Sequence, residues 1–219
     1  MPLQNRVDPF GDIHAVAARG IFTGNRGVIH DPGTRTLLRR RWSSKAWIIC
    51  ACDFRGRKRE VMGRNAPGGG PGWTNLFFLD EVTALAAGHR PCFHCRREAA
   101  EEFADCFAKG LGIPRAKAAE MDRRLHGERR ASAIAARSFK QTSVERAAFQ
   151  ALPEGAMLFQ GDQAFAIRRG RLRAWTFRGW TDEQDPGDRT LHDLWLLTPP
   201  STVAALTAGY RPVWHPGSE

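Results

Sequence analysis

Acidic residues are in short supply in this chain. Across 219 residues, Asp and Glu number 23 against 33 Lys and Arg, a formal net charge of +10. A basic balance favours polyanions: nucleic acid first, then an acidic membrane surface or an acidic partner. The alternative is a basic protein whose charges are simply solvated. Long hydrophobic runs are lacking too. No stretch approaches the roughly 20 apolar residues of a spanning helix. The opening MPLQNRVDPFGDIH holds no apolar core of signal-peptide length. Helical membrane proteins are thereby excluded, and a soluble, cytoplasmic chain is expected. Cysteine is scarce: Cys50, Cys52, Cys92, Cys95 and Cys106 are an odd set, too few for a disulfide scaffold. Reduced thiols serving metal binding or core packing are the natural reading. Also missing are a phosphate-binding glycine loop, a nucleophile elbow and a two-His metalloprotease motif.

What is present is enough hydrophobic sequence, 42%, for one large core or two small lobes. The first forty residues, rich in Gly, Asn, Asp and Pro, predict turns and short strands. Residues 46–54, AWIICACDF, are apolar but too short for a good helix and predict a buried strand. Residues 60–62 are expected to return as its partner. NAPGGGPG at 65–72 reads as a loop. Residues 76–79 predict a strand, and Asp80 can cap a helix starting at Glu81 because its carboxylate accepts orphan N–H groups. Gly88 suits the left-handed position that ends this helix, and Pro91 blocks continuation. Residues 97–109 predict a second helix on which Phe103, Cys106 and Phe107 share a core face. Pro114 is expected to open a third, to about Arg130, with Ala118, Met121 and Leu125 as its apolar stripe. After Pro153 the period becomes alternating. AMLFQ, AFAIRR, RLRAWTF and DLWLL predict four strands, with turns at Gly161-Asp162 and Gly170, before a last helix from about Pro200. The expected fold class is α+β. A short-stranded lobe with a C-x-x-C knuckle spans 1–110, a helical connector 111–150, and a β-rich lobe 151–219.

Two segments echo each other. Residues 81–92 read EVTALAAGHRPC and residues 202–213 read TVAALTAGYRPV. Each follows an apolar strand and a capping residue, Asp80 or Thr198. Either the pair is a structural repeat, or the same helix-stopping grammar is written twice. The second copy has no cysteine.

Cys92-Phe93-His94-Cys95 carries the sharpest chemistry. Two thiolates at C-x-x-C spacing can hold one Zn²⁺ from a tight turn, at about 2.3 Å from the metal. Core packing is the alternative, and a redox pair would need a thioredoxin-like context that is not evident. A structural zinc takes four ligands. The other thiols upstream, Cys50 and Cys52, lie two apart on a strand and so face one side. They can converge on a metal or sit in the core; His30 and His94 are substitute ligands.

Residues 76–97, LFFLDEVTALAAGHRPCFHCRR, resemble the second half of the Ada-type metal-binding domain. There a strand, a short helix, Ala-Gly, an aromatic or His, and Arg-Pro-Cys-x-x-Cys with a basic residue follow in the same order. The resemblance implies a small zinc module that binds DNA phosphates, with Cys92 and Cys95 as two of four thiolate ligands. It covers about twenty residues. The family's first pair is Cys-x-x-x-Cys and closer upstream; this chain has no such pair, so the family's methyl-acceptor activity is not carried over. The whole chain resembles an uncharacterised bacterial family, which implies no function.

Most of the excess charge lies within residues 35–64. Arg39, Arg40, Arg41, Arg57, Lys58 and Arg59 are expected on the turns of one hairpin, near Arg96 and Arg97 of the knuckle. Arginines on turns reach phosphates without reading sequence. His126 and Glu128, within a turn of each other, are weak candidates for acid–base work. In RLRAWTF, alternation puts Arg on one face and aromatics on the other, the aromatics expected toward the core. The leading expectation is a nucleic-acid-binding protein, DNA before RNA, with a zinc site and a role in repair or regulation. The alternatives are an enzyme acting on nucleic acid through His126 and Glu128, or a metal-free protein-interaction module.

Overall fold

Short hydrophobic segments punctuated by Gly and Pro give short strands here. The computed structural model describes residues 1–56, 58–138, 146–184 and 194–216. The first half holds β1 (Arg6–Val7), β2 (Ile13–His14), β3 (Phe22–Asn25), a small ribbon of β4 (His30–Asp31) and β5 (Thr36–Leu37), then β6 (Ile48–Ala51) and β7 (Leu76–Phe78). Helix α1 (Glu81–Ala86) leads into β8 (Arg90–Pro91). Apart from the ribbon, these strands form one sheet in the order β2-β1-β7-β3-β6-β8, with β1/β7 and β6/β8 parallel. Helices α2 (Arg97–Gly110), α3 (Ala118–Ser138) and α4 (Arg146–Ala151) follow. A second, antiparallel sheet contains β9 (Met157–Gln160), β10 (Gln163–Arg168), β11 (Arg171–Thr176), β12 (Gly179–Gln184) and β13 (Trp195–Leu196), in the order β12-β11-β10-β9-β13. Helix α5 (Pro200–Thr207) follows. The α+β class is as expected: strands first, helices in the middle, strands again. Among the described residues no helix is long and apolar enough to cross a membrane.

Several local expectations need correction. Residues 60–62 form no strand; β6 pairs with β3 and β8 instead. The third helix starts at Ala118, four residues after Pro114. The second sheet gains β12, whose GWTDEQ is too polar to stand out. Trp175 lies on the same face of β11 as Arg171 and Arg173, while Leu172 and Ala174 are buried. Thr198 does not cap α5: its hydroxyl accepts from Met157 N, and Glu128 takes the cap.

One hydrophobic cluster joins both sheets, with Phe78 and Leu85 from the first half, Phe103, Phe107 and Met121 from the helices, and Phe165 and Leu172 from the second sheet. Cys106 packs partly buried against it. Helix α1 is buried throughout, so its two N-terminal carboxylates need many partners. Asp80 accepts from Thr83 N at 2.9 Å, Thr83 Oγ1, Trp180 Nε1 and His215 N. Glu81 accepts both terminal nitrogens of Arg96 at 2.6 and 3.0 Å, the Tyr210 hydroxyl at 2.8 Å and Val213 N at 3.0 Å.

The sequence echo is the same helix-stopping grammar written twice. In α1, Gly88 N donates to Leu85 O and His89 N to Ala84 O; in α5, Gly209 N donates to Leu206 O and Tyr210 N to Ala205 O. Both glycines have positive φ, 77° and 122°, as this double-bonded helix stop requires. The likeness ends at Arg-Pro. Arg90–Pro91 joins the sheet and Arg90 forks onto Asp122 with two 2.8 Å bonds, whereas Arg211-Pro212 pairs with no strand.

Candidate metal centre

The knuckle is positioned by backbone pairing. Ile48 lies opposite Arg90 and Ile49 opposite Pro91 in the parallel β6/β8 pair. The next residues along, Cys50 and Cys92, therefore stand side by side, and Cys92 N donates to Ile49 O at 2.9 Å. The Arg90–Asp122 fork pins this strand to α3. Beyond Cys92 the chain turns, closed by Arg96 N on Cys92 O at 3.0 Å, and brings Cys95 back. The sulfurs of Cys50, Cys92 and Cys95 all lie within 4.8 Å of one another, close enough to hold a metal ion.

The three thiols are electrostatically interdependent. Hydrogen bonds from the Cys50 and Cys95 thiols, then from the backbone N–H groups of residues 95 and 94, push Cys92 far below the usual thiol range. Cys50 is driven up by its bonds to Cys92 and Cys95 and by burial. Cys95, although lowered by its bond to Cys50, ends up raised by Cys92 and by burial. A bound cation would favour the ionised form of all three thiols.

A cavity of about 630 Å³ opens over the cluster. In the sheet, Thr23 lies opposite Cys50 on one side and Phe77 on the other, so the three form one row on one face. Asn25, Trp73, Lys58 and Arg59 also line it.

The other candidate ligands lie elsewhere. Cys52 is exposed and belongs to the cavity wall, not the three-sulfur cluster. The expected Cys50/Cys52 pair is therefore replaced by Cys50 with the knuckle, because β6 ends at Ala51, before Cys52, while its parallel pairing with β8 sets Cys92 beside Cys50. His30 is buried with Nδ1 2.7 Å from the Thr74 hydroxyl. His94 is exposed, its ring 5.1 Å from that of Phe54. Among the described residues the cluster has three members.

The cations divide into free and engaged. Lys58 and Arg59 are exposed at the cavity. Arg39, Arg40 and Arg41 are exposed; Arg40 and Arg41 donate to the carbonyls of Val28 and Leu38. Arg57 lies outside the described residues. Arg96 is not an available phosphate contact: it is spent on buried Glu81 and stacks 4.2 Å over the Phe22 ring. Arg97 is exposed and pairs with Glu101. Without a β6 return strand, this basic stretch does not form the turns of one hairpin. His126 and Glu128 have separate partners. The His126 ring meets Trp42 edge to face at 4.5 Å, and Glu128 accepts from Ser201 N and Oγ at the start of α5.

No protein family, curated protein or solved structure matches this chain.

Proposed function

We propose that Cys50, Cys92 and Cys95 bind one zinc ion and that the protein binds nucleic acid across the basic mouth of the adjoining cavity. The observation that carries this reading is the convergence of three thiols beside exposed Lys58 and Arg59. Sulfurs at about 2.3 Å from a tetrahedral ion stand about 3.8 Å apart, compatible with the observed cluster. The resemblance of residues 76–97 to a zinc module supports the same metal. Three thiolates leave a fourth position on the cavity side, which a bound zinc would present as a Lewis acid. Lys58 and Arg59 bring flexible cations to that opening, and the exposed Trp73 offers an aromatic face for stacking. DNA is the polymer that the zinc-module resemblance favours.

The test is fluorescence anisotropy with labelled single- and double-stranded DNA and RNA between about 50 and 200 mM salt. Affinity should fall steeply with salt. Lys58→Ala with Arg59→Ala should flatten the slope by about two phosphate contacts. Replacing Arg39, Arg40 and Arg41 should flatten it by up to about three, and replacing Arg168, Arg169 and Arg171 should do less. Equal losses from all three sets would mean general basicity without a site. Absence of binding at low salt would end the nucleic-acid reading and leave a protein-interaction module.

A further inference from the structure

A second cavity, of about 700 Å³, shares no lining residue with the first. The turn joining β1 to β2 forms one side, the second sheet the other, and Ala86, Ala87 and Leu196 contribute apolar surface. Its walls are aromatic. Phe10 meets Phe159 edge to face at 5.5 Å, and Phe177 meets both Trp175, at 4.6 Å, and His14, at 5.1 Å.

The charge here opposes that of the chain. Asp8, Asp12 and Asp162 all line the cavity. Asp8 is buried and already occupied, accepting from Asp12 N at 2.9 Å and lying 2.7 Å from His14 Nε2. Asp12 and Asp162 are exposed, and Asp12 interacts electrostatically with the buried Arg26 guanidinium, whose Nη1 donates to Gly11 O behind the wall. The one arginine in the wall, Arg129, is committed: its terminal nitrogens donate to the carbonyls of Gly88 and Lys45, and its guanidinium lies 3.9 Å over Trp47. A polyanion is disfavoured here, so this cavity is separate from the surface proposed for nucleic acid. A small metal ion does not suit it either: among the described residues the only cluster with metal-ligand spacing is the cysteine one.

Aromatic faces beside exposed carboxylates suit a cation too soft and too large for a carboxylate cage. We propose that this cavity binds an organic ammonium ion, a primary or methylated amine on a short aliphatic chain. The charged nitrogen sits between Asp12, Asp162 and the rings of Phe159 and Phe177, and the chain lies along Ala86 and Leu196.

Calorimetric titration of nucleic-acid-free, full-length protein with choline, and separately with spermidine, tests this. At least one probe should bind saturably at physiological salt. The double variant Asp12→Asn with Asp162→Asn should bind that probe at least about tenfold more weakly. Both positions are exposed, so an unchanged thermal midpoint will show that the fold is kept. Phe159→Ala should weaken choline in the same direction, and the intrinsic tryptophan emission, to which Trp47 and Trp175 of the wall contribute, should change on binding. Failure of both probes to bind, or binding that ignores the double variant, would overturn the proposal. So would an emission response to inorganic phosphate in place of the amines.

Discussion

The two cavities are similar in size, about 630 and 700 Å³, and the segment from α1 to the knuckle serves both. Ala86 and Ala87 border the aromatic cavity; nine residues after the helix, Cys95 closes the cysteine cavity. Their chemistry differs because they are assembled differently. In the cysteine cavity the backbone sets the donors, since a parallel strand pair and one turn place three sulfurs. In the aromatic cavity, the β1–β2 turn of one sheet faces side chains from the paired strands β9, β10, β11 and β13 of the other, and no strand pairing joins the two sides. The first should therefore stand or fall with backbone register. The second should tolerate single side-chain changes and reveal them in binding.

Glu81 lines neither cavity but anchors the start of α1, from which the segment serving both runs, and its loss should have the largest effect. Its fully buried carboxylate serves Arg96, Tyr210 and Val213. Glu81→Ala leaves a buried arginine uncompensated, which costs about 3–5 kcal/mol. Urea denaturation should record that loss, and both cavities should weaken together. A change below about 1 kcal/mol would show the two to be independently supported.

Acid should act next, through His89. This ring is fully buried against Trp47 and Phe78, accepts from Arg26 Nε at 3.2 Å, and directly precedes the Arg-Pro-Cys knuckle. Burial, then the charges of Arg26 and Arg129, hold its pKa well below the ordinary value. The unfolded chain takes a proton near pH 6.5 while the native state does not, so stability falls as pH drops below that point. From pH 7.5 to 5.5 the loss from this group is about 1.4 kcal/mol. His89→Gln should flatten the dependence; an equally steep dependence in that variant would assign the effect to other groups.

Glu128→Ala separates the cavities. Its carboxylate caps α5 through Ser201, next to Pro199 of the aromatic wall. The expected cost is about 1 kcal/mol, with ammonium binding weakened and metal content unchanged. Loss of metal would mean that the cavities are coupled through α3. The smallest effect should come from Arg40→Ala, at most about 0.5 kcal/mol on stability, read in the same denaturation experiment.

What could be read from sequence was local. Asp80 as cap and Gly88 as stop act within a few residues, and the structure keeps both. Cys50 was visible only as one of two strand thiols, because its partnership with Cys92 depends on β6 lying parallel to β8 across forty residues of chain. Arg96 looked like an available cation because nothing in sequence says that Glu81 is buried. Thr198 looked like a cap because Glu128 reaches α5 from another helix. The aromatic cavity left no sequence signal: Asp12, Phe159 and Phe177 meet only when two sheets close on one core.

The most direct measurement is the zinc content of protein purified without chelator, for the wild type and for Cys50→Ser, Cys52→Ser and Cys92→Ser. About one zinc per chain is expected in the wild type and in Cys52→Ser. Cys50→Ser and Cys92→Ser should lose it, with lowered stability because metal-binding energy is then folding energy. A metal-free wild type, or zinc that survives Cys50→Ser and disappears with Cys52→Ser, would contradict the three-thiol site.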